Sequence, residues 1–139
     1  MRSFWVAVAA ASLIAGAAQA ETLRFHATLN AASEAPPNLA PGTGVVDATL
    51  DTATKVLTYT VTYSGLSGPA TVAHFRGPAP PGLNAPLAVA VTNAASPISG
   101  TATLTDDQID DLKSGMWYFN VYTKNALGGE IRGQMTPAP

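Results

Sequence analysis

Between Thr22 and Asn30 apolar and polar residues alternate without a break: Leu23, Phe25, Ala27 and Leu29 fall on one side, Thr22, Arg24, His26 and Thr28 on the other. A repeat of two belongs to an extended strand with one buried face, and no helix satisfies it. The pattern returns in Val46, Ala48 and Leu50 within Gly44 to Asp51, and in Leu57, Tyr59, Val61 and Tyr63 within Lys55 to Ser64. The link Asp51-Thr52-Ala53-Thr54 has the length of a hairpin turn. Shorter runs follow at Ala70 to Arg76, Leu87 to Thr92 and Ile98 to Leu104, with two more at Gly115 to Thr123 and Gly128 to Met135. Between them lie breaks that a strand cannot cross: Pro36-Pro37 and Pro41 in an extended loop from Ala31, Gly65 to Pro69, and Gly77-Pro78-Ala79-Pro80-Pro81-Gly82. About eight short strands so punctuated predict an all-β fold, an antiparallel Greek-key sandwich or barrel.

One helix interrupts the strands, near 105–113. Thr105-Asp106-Asp107-Gln108 is a capping box, in which the Thr105 hydroxyl takes the Gln108 amide and the Gln108 side chain reaches back. Asp106 and Asp107 suit the positive end of the helix, Lys113 suits the negative end, and Gly115 closes it. The carboxylates Asp106, Asp107, Asp110 and Asp111 lack the spacing and central glycine of a calcium loop, and read as a solvated face.

Residues 1–20 have the pattern of a signal peptide. Arg2 precedes an apolar, Ala-rich run from Phe4 to Ala18, and Ala18-Gln19-Ala20 is a cleavage site that leaves Glu21 as the first mature residue. The apolar run is shorter than the roughly 20 residues of a membrane span. An exported, periplasmic or extracellular protein with a single domain over 21–139 is therefore expected, with no membrane span after cleavage. The whole chain carries a formal charge of −2, and losing Arg2 makes the mature protein more acidic. Without a basic patch, nucleic acid is excluded as a partner. The chain has no cysteine, so neither disulfides nor a thiolate zinc site contributes to stability.

The polar face of the C-terminal hairpin holds the candidate site. Trp117, Phe119 and Val121 alternate with Tyr118, Asn120 and Tyr122; Ile131 and Met135 alternate with Glu130, Arg132 and Gln134. Asn125 and Gly128-Gly129 are expected to make the turn, because both residue types tolerate positive φ. In the fourth strand Val72, His74 and Arg76 share one face, opposite Ala73 and Phe75. Should the fourth strand lie beside the hairpin, His74, Arg76, Asn120, Tyr122, Glu130 and Arg132 gather on one surface, with Glu130 accepting from Arg132 or Arg76. Such a cluster either binds an anion or partner carboxylate, or satisfies itself and fixes register. His26 reads as a solvated residue. No catalytic residue is assigned: there is no cysteine, Ser64 and Ser67 have no neighbouring base, and neither histidine has an acid partner in sequence. No cofactor is expected.

Several of these segments resemble one family. Ala73-His74-Phe75-Arg76-Gly77, Tyr118-Phe119-Asn120-Val121-Tyr122-Thr123 and, most specifically, Gly129-Glu130-Ile131-Arg132-Gly133-Gln134 are similar to the CHRD domain, the module named after chordin. Gly65-Leu66, the stretch from Leu29-Asn30 to Glu34-Ala35-Pro36-Pro37, and the Leu104 to Leu112 helix are similar as well. The resemblance implies an extracellular β-sandwich related in architecture to copper/zinc superoxide dismutase, and a short bacterial exported form. It also implies a His-x-His in the fourth strand and a third histidine in the Tyr-x-Asn-x-His-Thr strand. This chain keeps the first as His74 but has Arg76 and Tyr122 at the other two positions. A protonated guanidinium does not ligate, and its charge repels a cation. The expectation is thus a non-catalytic binding or structural module whose partner is a protein or envelope component, with no oligomeric state specified. The alternative is a copper- or zinc-binding, superoxide-handling protein with a degenerate site in which His74 survives.

Overall fold

A computed structural model describes residues 20–139, so the segment read as a signal peptide lies, but for Ala20, outside the described residues. Nine strands form: β1 Thr22–Asn30, β2 Thr43–Asp51, β3 Val56–Ser64, β4 Ala70–Arg76, β5 Leu87–Ala90, β6 Ile98–Thr103, β7 Tyr118–Thr123, β8 Ala126–Gln134 and β9 Thr136–Ala138. All pair antiparallel, in the order β5-β4-β7-β8-β1-β2-β3-β6, with β9 also on β1. The result is a nearly closed barrel or sandwich, open only between β5 and β6.

The alternating residues point where their period requires. Phe25, Ala27, Leu29, Val46, Ala48, Leu50, Leu57, Tyr59 and Val61 are all buried in one core, and Phe75, Phe119, Val121 and Ile131 face them from β4, β7 and β8. Phe75 sits at its centre, edge-on to Tyr59 at 5.0 Å and to Phe119 at 4.8 Å. Burial of such aromatic surface is the main stabilising term in a chain without disulfides.

The helix α1, Asp106–Lys113, has the capping box at Thr105 and Gln108 in both directions. At its other end Gly115, with φ +75°, donates to the Leu112 carbonyl, and Met116 to that of Asp111, the Schellman pattern. Leu112 is buried in the core and Gln108 reaches the Ala88 carbonyl on β5, so the helix is held at the open edge of the barrel.

Three expectations need correction, and the count of about eight strands extends to nine among the described residues because β8 does not stop: Asn30↔Arg132 and His26↔Thr136 lie in one register along β1, and β9 is the continuation of β8 past Met135. Gly133 sits at this crossing, where a Cβ would collide with the Thr28 carbonyl. The hairpin turn is Lys124-Asn125 alone, and Gly129 spends its positive φ of +111° in a bulge within β8. The loop after β1 is not extended throughout: Asn30 caps a 3-10 turn at Ala31–Ser33 by accepting the Ser33 amide. His26 is half-buried and not merely solvated, since its Nδ1 lies 2.9 Å from Asp47 Oδ1.

Candidate functional site

The antiparallel register of β4, β7 and β8 builds the site in rows. His74 lies opposite Asn120, and Asn120 opposite Arg132, in one line across three strands. The next row holds Arg76, Tyr118 and Gln134; on the other side Val72 lies opposite Tyr122. Five of the six candidate residues therefore share one outer face: His74, Arg76, Asn120, Tyr122 and Arg132. This face is not open to water across its width. Tyr118, Asn120, Tyr122 and Arg132 are all buried, because two proline-rich loops, 31–41 and 77–86, fold over it.

Arg132 and Tyr118 hold the second loop. The Arg132 guanidinium stacks on the Tyr118 ring and donates to the Leu83 carbonyl at 2.7 Å, the Pro80 carbonyl at 3.5 Å and Asn84 Oδ1 at 3.2 Å. The Tyr118 hydroxyl accepts the Ala85 amide at 2.9 Å. Asn84 then donates to the Ala35 carbonyl at 2.8 Å, tying the two loops together. Gln134 donates to the Ala79 and Gly115 carbonyls. Arg132 is thus a clamp, its fork of donors spent on loop oxygens. Burial pushes its pKa down, and Tyr118, Glu34 and Tyr122 oppose that shift.

The sixth candidate, Glu130, stands apart. The register shift between Val121 and Thr123, with the bulge at Gly129, turns it toward Thr123 and the β3–β4 connection. Its carboxylate accepts from the Ser67 amide at 2.8 Å, the Thr123 hydroxyl at 2.9 Å and the Ser67 hydroxyl. Burial raises its pKa, but the Ser67 and Thr123 hydrogen bonds outweigh that and leave it below the usual carboxylate range. No bond joins it to Arg76 or Arg132, so the ion pair expected there does not form; between Ala126 and Ile131 β8 carries three more residues than β7 has opposite, and that irregularity breaks the alternation on which the pair rested.

The carboxyl group that does face Arg132 is Glu34, which the residue pattern alone passed over. It is 4 % exposed, with Oε1 buried and without a partner. Burial pushes its pKa up to about 7, against the opposing charge of Arg132 and the Asn120 amide. A carboxyl group stays in water unless a buried partner holds it, so nothing in the residue pattern alone marked Glu34 as buried.

Two clefts flank the Asn84–Ala35 bridge. One, of about 520 Å³, is lined by Glu34, Pro37, Pro81, Leu83, Asn84 and Arg132. The other, of about 620 Å³, is lined by Pro36, Arg76, Tyr118, Asn120, Tyr122 and Gly129 among others. In the second, Asn120 Nδ2 donates to the Tyr122 hydroxyl at 3.2 Å, while Asn120 Oδ1 is buried without a partner. Arg76 lies 5.7 Å from the centre of the Tyr122 ring and donates from Nη1 to the Ala85 carbonyl at 3.0 Å; its Nε is buried and unpartnered. His74 stacks at a tilt on Tyr122, 5.5 Å between ring centres. Burial and then Arg76 push its pKa down, which keeps it neutral.

These residues do not fit a copper or zinc ion. His74 is flanked by Asn120, Tyr122 and the cationic Arg76, and among the described residues no three His, Cys, Asp or Glu side chains group as a metal site. The degenerate-metal alternative has no support in this geometry. Nor does any helix among the described residues have the length and apolarity to cross a membrane.

Comparison with known proteins gives one match. The family model described as the CHRD domain covers residues 25–135, from β1 to the residue that joins β8 to β9. No curated protein and no solved structure shows detectable similarity to the chain.

Proposed function

The chain belongs to the CHRD domain family, and from that premise we propose that it is an exported, non-catalytic binding module of the cell envelope or exterior. The observation that carries this reading is the loop-roofed polar face of β4, β7 and β8: the face is fixed by Arg132 and Tyr118, and one of its two clefts presents Arg76, Asn120 and Tyr122 to an incoming group. Rigid strands that position loops at one end of a sandwich are a recurrent way to build a recognition surface. The partner is a protein or another envelope component.

Export is tested by sequencing the N-terminus of the protein recovered outside the cytoplasm; Glu21 is the expected first residue. Binding is tested by immobilising the protein and capturing envelope components from the native cell. Capture that is specific and lost with Arg76→Ala supports the proposal. Capture indifferent to Arg76→Ala moves the binding surface elsewhere, and none leaves a purely structural role.

A further inference from the structure

The cleft over Tyr122 contains more unspent hydrogen-bonding capacity than a face that merely satisfies itself. Asn120 is 2 % exposed, yet its Oδ1 meets no donor. The Tyr122 hydroxyl accepts from Asn120 Nδ2, so its own proton is left for another acceptor. Arg76 has one carbonyl partner, a buried Nε with none, and no carboxylate within ion-pairing distance among the described residues. Buried polar atoms left in this state are uncommon in a folded chain, and three of them around one cleft call for an explanation.

The charges around the cleft fix the sign of that partner. Arg132 stands behind it, spent on the loop carbonyls. Glu130 is turned away to Ser67 and Thr123, while Glu34, which meets the Asn120 amide, lines the neighbouring cleft. Arg76 is therefore a cation with an open flank in a chain of net charge −2.

We infer that this cleft is a carboxylate subsite, in which the ligand carboxylate sits against Arg76 and the Tyr122 hydroxyl while an N–H or O–H next to that carboxylate donates to Asn120 Oδ1. The inference rests on the binding role proposed above and names its ligand chemistry. A planar fork of donors suits a planar carboxylate, and one accessible guanidinium is too little for a phosphate dianion. Pro36, Pro37 and Leu127 supply an apolar rim for what the carboxylate is attached to. Two sources present such a carboxylate beside a donor: the last residue of a peptide, with its amide N–H, and an acidic sugar, with its hydroxyl.

Nitrogen-15 NMR titrations with N-acetylglycine, N-acetylglycinamide and glucuronate test the inference on the purified protein. Saturable shifts of the Arg76, Asn120 and Tyr122 signals are expected with a carboxylate ligand, and none with the amide. N-acetylglycine as the tighter ligand assigns the peptide source; glucuronate as the tighter assigns the sugar. Arg76→Lys keeps the charge and removes the fork, and is expected to weaken binding roughly tenfold. Asn120→Asp sets a second anion at the ligand and is expected to abolish it. Equal affinity for acid and amide, an unchanged affinity in Arg76→Lys, or no saturable shift with either carboxylate overturns the inference. Envelope capture that depends on Arg76 but coexists with no carboxylate affinity overturns the ligand class and leaves the binding role standing. Carboxylate affinity without capture keeps the subsite and removes the envelope partner.

Discussion

The guanidinium carbon of Arg132 lies 3.5 Å from the centre of the Tyr118 ring, and this stacked pair is the post on which the 77–86 loop rests. A cation on an aromatic face away from water contributes about 2 kcal/mol, and the carbonyls it serves lose their donor if it is removed. Arg132→Met, which keeps most of the bulk, is expected to cost about 2–4 kcal/mol in stability. Arg132→Lys should recover little of this, since a single ammonium cannot reach Leu83, Pro80 and Asn84 in the same geometry. Thermal denaturation measures the loss, and new proteolytic nicking between Pro80 and Asn84 would locate it.

Glu34 makes the fold sensitive to pH from the alkaline side. Its folded pKa is raised from an ordinary carboxyl value of 4.5 to about 7. Below 4.5 the group is protonated whether the chain is folded or not, and it contributes nothing to the balance. Between these values the unfolded chain gives up its proton while the folded one retains it, so stability falls as pH rises and levels off above about 7. Melting temperature followed from pH 4.5 to 7 should therefore slope downward. The slope should flatten in Glu34→Gln, which cannot ionise; an equal slope in the variant would assign the effect to another group.

Glu130 works in the opposite sense and in a different window. Its hydrogen bonds with Ser67 and Thr123 lower its folded pKa below 4.5, so it contributes stability above that value and loses it as pH falls through the folded pKa. Glu130→Ala leaves the Ser67 amide and the Ser67 and Thr123 hydroxyls without their acceptor, at an expected cost of about 2–4 kcal/mol. Glu130→Gln keeps one carbonyl oxygen and should cost about half as much. Chemical denaturation at pH 7 and pH 3.5 separates the cases: the variants should differ most from the native chain at the higher pH. A Glu130→Ala protein as stable as the native one at pH 7 would refute this account.

Period-two alternation carried most of the fold because one face of nearly every strand meets a single core. Phe25, Leu50, Val61, Phe75 and Phe119 were assignable to that core from spacing alone, and α1 from its two caps. The same reasoning placed five candidate site residues on one face and failed at the sixth. Alternation is a statement about an unbroken ladder, and Glu130 follows a bulge that inserts residues on β8 with none opposite on β7. Nothing local marks which of two adjacent glycines takes the positive φ. Glu34, Asn84 and Ser67 were missed for a different reason: each lies in a connection, and its partner is set by how loops fold over a finished sheet. Proline content identified those loops as loops, but not the face they cover.

Gly128 and Gly129 are adjacent and chemically identical, yet they should respond in opposite ways to the same substitution. At Gly128 an added Cβ meets nothing within 4 Å, whereas at Gly129 it would strike the Asn120 side chain and come within 2.7 Å of Glu34 Oε2. Gly129 also holds φ at +111°, a conformation costly for any residue with a side chain. Gly128→Ala is therefore expected to be neutral within about 0.5 kcal/mol. Gly129→Ala should cost about 2–4 kcal/mol, part from backbone strain and part from displaced buried polar groups. Because those groups include the Asn120 amide, the Gly129 variant should also disturb the NMR signals of Tyr122 and Arg76 under conditions where it remains folded, and the Gly128 variant should not. Equal stability of the two would mean that the β8 bulge does not sit where the Asn120 and Glu34 side chains meet.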